Sequence, residues 1–357
     1  MEKIYQGQLM KKLFDLIILS CLMSSSALAT SLATDLSSEI KVLNAEYGNV
    51  KDYPIVIFDK SEVVPLLKGH SEEEQVKLLS EYMLQKFNIV LERNEAINLI
   101  PYFGILNGSA SALPFMKGGW SREFKFCAVL PNGVMNDLPS EVRRVLGHSD
   151  EVDVYKNFDF SQFEKKFSLE ELHYYSLYHE LSHCLDDIYL PENYQGSASG
   201  HGIHQSESFA EVNALFLMAQ KKGLKRIGIN RALLRKTYSK YMGPYLASDK
   251  VSPYAGEVVK QGGGVYFLSP VLIAAQREIE NFDKDVLKYD LDETLKLSAT
   301  IVEHHSINSR SFQGFVKYFK DGREETLDYY KGLADRDPDL FLASYYDLLY
   351  LTSILEN

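Results

Sequence analysis

The segment from Ser168 to Pro191 constrains the fold more than any other, because it reads as one long helix with two histidines on the same side. Ser168 and Glu171 have the spacing of a capping box, in which each side chain reaches the other residue's backbone N–H. Pro191 has no N–H with which to continue, so the helix is expected over residues 169–190. Inside it lies HELSH (179–183). At about 100° per residue His179 and His183 stand one turn apart, while Leu177, Leu181 and Ile188 fall on roughly the opposite side. A lone helical histidine is usually a surface or satisfied core residue, whereas two at i and i+4 can aim their imidazoles at one point.

Zinc suits that arrangement. It takes neutral imidazoles at about 2.0–2.1 Å in tetrahedral geometry, and a catalytic site keeps one position for water, whose pKa falls to about 7. Glu180, beside the first ligand but not itself bound, is then placed to take the proton of that water as it attacks a carbonyl and to pass it to the leaving amine. A third ligand is still needed. The shorter motif with a third histidine six residues after the second is excluded, since that position is Tyr189. Glu207, His201 and His204 compete. The two histidines lie in PENYQGSASGHGIHQ (191–205), which reads as a Gly/Ser-rich loop, where fixing a ligand's direction costs more ordering entropy than on a helix. Glu207 opens a helical segment over 207–222 with Glu211 one turn later, so one carboxylate can bind the metal while the other receives an imidazole N–H. The plainer readings are a solvated helix face for HELSH, and for Glu207 a helix-start acid favoured by the macrodipole. Asp186 and Asp187 read as helix-end residues or partners of the ligands.

HELSH followed by Glu207 and Glu211 resembles the gluzincins, the thermolysin-like branch of zinc metallopeptidases, over about residues 168–220. The resemblance implies one catalytic Zn2+ held by His179, His183 and Glu207, with Glu180 as base. It makes Glu211 the outer carboxylate that orients a ligand histidine, a position commonly occupied by the shorter Asp. It further implies a peptide or protein substrate. His304 and His305, in IVEHHSINSR, are candidates for an imidazole at the developing oxyanion, against the plainer reading of exposed helix-end histidines. Two other functions use the same residues: a zinc hydrolase of a non-protein amide such as a cell-wall crosslink, and a catalytically silent zincin-fold binding protein, against which the intact Glu180 argues.

The remainder sets the frame. The chain has 357 residues, 45% hydrophobic and 24% charged, room for one large or two moderate domains. Its net charge of -11 includes no long Lys/Arg run, so the basic footprint that nucleic acid or an anionic membrane requires is missing. Residues 1–29 read as a signal peptide: Lys11 and Lys12 precede the apolar LFDLIILSCLM, and SSSALA suits cleavage after Ala29. The run is short for a bilayer span, and no membrane span is expected in the mature chain. Met10 offers an alternative start, Asp15 interrupts the apolar run, and ILSC ending at Cys21 faintly resembles a lipoprotein signal. Plain cleavage to a periplasmic or secreted protein is the expectation. It leaves Cys127 and Cys184, expected as buried free thiols rather than a bridge.

The organisation is expected to change near residue 165. Residues 30–165 read as a mixed α/β part, with strands YPIVIFD (53–59) and FKFCAVLP (124–131) and a helix opened by a Ser71/Glu74 capping box. FKFCAVLP is either an edge along which an extended peptide can align or an interior strand. Residues 166–357 read as mainly helical, with further helices near 229–241, 270–282, 292–305, 310–320 and 339–355. The fold class expected is α+β, and the resemblance adds that it is zincin-like.

Overall fold

The computed structural model describes residues 31–118, 123–147, 153–156, 158–189, 199–251, 256–281 and 286–356. The expected signal peptide, Cys21 and Pro191 lie outside the described residues. The described part is α+β, with helices and a three-stranded sheet. No described helix is long and apolar enough to cross a membrane. The chain divides into two compact units, Met1–Glu141 with Ser168–Tyr174, and Val142–Phe167 with Tyr175–Asn357.

The first unit holds the sheet. Helix α1 (31–47) was not foreseen, although Leu32, Leu36, Ile40, Leu43 and Tyr47 recur at three- and four-residue intervals and are all buried. Strand β1 (Ile55–Ile57) pairs in parallel with β3 (Phe124–Leu130), and β2 (Ser111–Met116) pairs antiparallel on the other side, giving the order β1-β3-β2. FKFCAVLP is therefore the central strand. Its backbone is flanked on both sides, so the interior alternative holds and the edge alternative falls. β2 escaped the sequence reading because Pro114 interrupts its pattern; proline is admitted because the strand lies at an edge, where no ladder N–H is needed. The outer side of β1 is covered by Asn44 of α1, whose Oδ1 accepts from Ile57 N–H at 2.9 Å while its Nδ2 donates to Ile57 C=O at 2.8 Å.

Helices α2 (Lys60–Leu67), α3 (Glu72–Phe87) and α4 (Arg93–Leu99) follow β1. The expected Ser71/Glu74 capping box opens α3, and Asn88 closes it in the left-handed conformation at φ 56°. Phe58, Leu79, Met83, Leu99, Phe103 and Phe126 form the centre of this unit's core. Helices α5 (Leu138–Val145), α6 (Ser161–Glu164) and α7 (Leu169–Leu185) come next; α5 and α7 contribute residues to both units and α6 belongs to the second.

The second unit is helical. It contains α8 (Gly200–Lys222), α9 (Ile227–Leu246), α10 (Glu257–Lys260), α11 (Gly262–Val265), α12 (Ser269–Asn281), α13 (Leu291–His305), α14 (Ser309–Asp321), α15 (Arg323–Arg336) and α16 (Pro338–Glu356). Every residue of α8 from Ser208 to Ala219 is buried, as befits a helix that is surrounded rather than amphipathic. α12 and α13 pack against it, and Phe267, Phe312, Phe315, Phe319, Tyr330 and Leu348 build a second core beside Val265.

Several expectations change here. α7 ends at Leu185 and not at 190, because Asp186 Oδ1 accepts the N–H groups of Ile188 and Tyr189, each at 2.9 Å, and turns the chain out of the helix. α8 begins at Gly200, seven residues early. Ser199 caps it by accepting from Gly202 N–H at 3.0 Å, and a Cβ on Gly200 would lie 1.9 Å from Gln261 Oε1. The serine and glycine that suggested a loop are a cap and a close-packing position. Cys127 and Cys184 are both fully buried and both disulfide-bonded, so the free-thiol expectation is overturned; burial alone does not separate the two states.

α11 can approach α9 only because two glycines meet: a Cβ on Gly263 would lie 2.5 Å from Gly243 Cα and 3.0 Å from the Phe319 ring. Gly263→Ala should therefore destabilise the protein by about 1–3 kcal/mol through overpacking. Gly332, in α15, has nothing within 4 Å of its Cβ position, and Gly332→Ala should stabilise by about 0.4–1 kcal/mol. Urea midpoints of the two variants should move in opposite directions, and a common direction would contradict this account.

Candidate metal centre

α7 presents His179 and His183, and α8 presents Glu207. Their ligand atoms all lie within 4.8 Å of one another, and they are the one group of His, Cys, Asp and Glu among the described residues that is placed to share a metal ion. His179 Nε2 is 3.3 Å from Glu207 Oε2, and His183 Nε2 is 3.7 Å from Glu207 Oε1. The two imidazole rings stand perpendicular with centroids 4.9 Å apart. Ligands at about 2.0–2.1 Å from a tetrahedral ion stand about 3.3–3.4 Å from each other, so the separations at Glu207 fit such an ion with shifts of a few tenths of an ångström.

The helices are held in register around this point by polar contacts. Ser182 Oγ of HELSH donates to Tyr178 C=O at 2.7 Å and accepts from Asn213 Nδ2 of α8 at 2.9 Å. Ser206 Oγ lies 3.3 Å from His183 Nδ1, which leaves Nε2 facing Glu207. Glu207 has about two turns of helix ahead of it, so a helix-start role does not account for it. Burial works to raise its pKa, but the hydrogen bond with His179 and the charges of His183 and Arg235 bring it down to about 2. Burial brings His183 down to about 4. His179 is raised: burial opposes its protonation, and the Glu207 hydrogen bond and nearby carboxylates outweigh it.

His204 and His201 are committed elsewhere. His204 Nδ1 lies 3.0 Å from the Val265 carbonyl, which only accepts, so Nδ1 carries the proton. Nε2 is then left to accept the Ile307 N–H at 3.1 Å. Both nitrogens of this buried, neutral ring are used, and burial keeps its pKa at about 4. His201 Nε2 donates to Ile307 C=O at 2.9 Å.

Glu211 is fully buried one turn beyond Glu207. Its Oε1 lies 3.7 Å from His179 Nδ1, outside hydrogen-bond range, while its oxygens receive Arg231 Nη2 at 2.6 Å and Arg235 Nε at 2.7 Å, with Arg235 Nη2 also on Oε1. Burial pushes the Glu211 carboxyl up, but the two guanidiniums hold it well below the usual carboxylate range. The structure thus brings Glu211 next to His179 and adds two arginines that sequence reasoning missed. Their spacing, Arg231-Ala-Leu-Leu-Arg235, is the i,i+4 signal that marks two side chains on one helix face. Ser206, beside His183 Nδ1, was likewise missed.

Glu180 is half-buried, and its charge is felt by His179 and by the Tyr266 phenol. Asp186 serves the end of α7, and Cys184 is in a disulfide and unavailable to a metal. His304 and His305 sit exposed in the last turn of α13, with His304 Nδ1 donating to Thr300 C=O at 2.7 Å, as the helix-end reading requires. No protein-family model, curated protein or solved structure matches this chain.

Two outcomes follow for purified variants. Glu207→Ala should lose tight zinc binding in a titration, whereas His204→Ala should keep the metal and lose about 1–3 kcal/mol of stability from an unpaired buried backbone group; the reverse pattern would remove Glu207 from the ligand set. In the metal-free protein His183 and His204 should also weaken the fold on acidification, against an opposite contribution from His179, whose pKa is raised. His183 and His204 have folded-state pKa values of about 4, below an unfolded value of about 6.5, so in that window the unfolded chain holds more protons. Their contribution is complete above the unfolded value and is lost as pH falls toward about 4, which urea midpoints at pH 7.5 and pH 5 would measure.

Proposed function

We propose that this protein is an exported, gluzincin-type zinc metallopeptidase with a zincin-like fold, cutting peptide bonds by Glu180-assisted attack of water. The observation that carries the reading is the convergence of His179 and His183 from one helix with Glu207 from the next, ligand atoms within 4.8 Å, with Glu180 adjacent in sequence to the first ligand. Two imidazole nitrogens and a carboxylate oxygen form a donor set that suits zinc, leaving a fourth position for water or substrate. A zinc ion held there would polarise the scissile carbonyl and bring the pKa of the attacking water to about 7.

The residues around the ligands have separate tasks. Glu180 keeps access to solvent and takes the proton of the attacking water, then delivers it to the leaving amine as the C–N bond breaks. Ser206 Oγ accepts from His183 Nδ1–H and so holds the tautomer whose Nε2 is unprotonated and faces Glu207. Glu211, kept ionised by Arg231 and Arg235, stands 3.7 Å from His179 Nδ1 and favours the proton on that nitrogen, leaving Nε2 free to bind.

Glu180→Gln should abolish peptide hydrolysis, by at least about a hundredfold, while zinc content stays at that of the parent, because the amide keeps the shape and cannot accept a proton. Digestion of a peptide library with and without a chelator, alongside metal analysis, provides the parent activity for comparison. Near-full activity in Glu180→Gln would remove this residue from the mechanism, and a metal-loaded parent that cuts no peptide would overturn the peptidase reading.

A further inference from the structure

The two arginines on Glu211 are not equivalent. Arg231 straddles the carboxylate, with Nη2 on Oε1 at 2.6 Å and Nε toward Oε2 at 3.4 Å, and its guanidinium lies 4.2 Å from the centre of the Tyr175 ring. It is a packing residue. Arg235 directs Nε and Nη2 at Oε1 alone. A guanidinium has five N–H groups, so Arg235 keeps donors in hand. Its guanidinium lies 5.4 Å over the ring of Tyr266, which in turn meets Tyr238 edge-on at 5.4 Å. Neither phenol hydroxyl makes a protein hydrogen bond among the described residues.

Arg235 brings these donors to the metal-binding group: the Glu211 Oε1 that it binds at 2.7 Å lies 3.7 Å from His179 Nδ1. The phenol O–H groups are protonated donors at neutral pH. Two guanidiniums face one Glu211 carboxylate, which leaves a positive charge that Glu207 meets in the metal-free protein. Once Glu207 serves as a metal ligand, that charge lacks a dedicated partner. A neutral carbonyl would be served by the phenols alone. Adding a guanidinium, with its fixed fork and permanent charge, selects for an anion, and for a planar carboxylate above others.

We propose that Arg235, Tyr238 and Tyr266 form a carboxylate-recognition subsite beside the metal-binding group, so that the substrate is a peptide bearing a carboxylate close to the bond that is cut. The proposal rests on the metallopeptidase reading and adds the substrate class. The carboxylate comes from an acidic side chain or from a free C-terminus, which have the same recognition chemistry. Tyr266 is held in place for this role by its neighbours: Val265 is tied to α8 through His204 at 3.0 Å, and α11 is seated through Gly263 against Gly243.

The test compares peptides that differ in one group. One pair carries Glu or Gln next to the cleaved bond, and a second pair carries a free or an amidated C-terminus there. For the zinc-loaded parent, kcat/KM should favour the carboxylate member of at least one pair by about tenfold or more, and which pair responds identifies the source. Arg235→Met should bring that ratio to about one. Tyr266→Phe and Tyr238→Phe, which keep the rings and remove only the hydroxyls, should lower it by severalfold even if Arg235→Met folds poorly. Binding of the same peptides to the Glu180→Gln variant, measured by calorimetry, should show the same preference without any cleavage. Equal binding of both members of both pairs, or a preference untouched by all three variants, overturns the subsite. A binding preference that survives in a protein that cuts no peptide overturns the peptidase reading and leaves the carboxylate subsite standing.

Discussion

A carboxylate placed where water cannot reach it is the constraint around which the second unit is arranged. An uncompensated buried charge costs several kcal/mol, so Glu211 requires cations delivered at hydrogen-bond distance. α9 delivers two, from residues one turn apart, and this ties α9 to α8 at Glu211. The Tyr175 hydroxyl donates to the backbone carbonyl of the same Glu211 at 2.7 Å and ties α7 into the arrangement. Three helices are therefore registered on one residue. Glu207, a turn before it on α8, then has a fixed direction relative to His179 and His183 on α7. The convergence of His179, His183 and Glu207 is a consequence of that registration as much as of the three residues themselves.

The histidine pair was legible because helical periodicity is strong, local information: two residues at i and i+4 share a face whatever surrounds the helix. Glu207 and Glu211 were legible for the same reason. What the sequence did not disclose is tertiary. Gly200 and Ser199 look like loop residues until Gln261, sixty-one positions beyond Gly200, is seen to occupy the space a side chain would need. With α8 starting at Gly200, His201 and His204 are helix residues bonded to Ile307 and not loop residues. Asp186 looked like solvated helix end and is a buried chain-turning residue. Among twenty-three tyrosines, only the fold brings Tyr238 and Tyr266 beside Arg235.

The same asymmetry holds in the first unit. Ser71 and Glu74 announce the start of α3 because a cap is a matter of four residues. β2 was missed because strand pairing is set by a partner distant in the chain, and its own sequence, SALPFM, has neither alternation nor strong strand formers at each position. α1 carries a readable stripe of apolar residues, Leu32, Leu36, Ile40, Leu43 and Tyr47, directly after the expected cleavage point.

The sheet also has a property that no single strand possesses. A row of open backbone donors and acceptors is an invitation to add further strands from other molecules, and long, flat sheet margins are where chains stick to one another. Here one margin is closed by the Asn44 amide on Ile57, which mimics a neighbouring strand without being one. The other margin, β2, carries Pro114, whose ring nitrogen has no hydrogen to offer and so breaks the row of donors. With a side chain sealing one border and an imino acid interrupting the other, the sheet is limited at three strands and is guarded against growing into intermolecular aggregates.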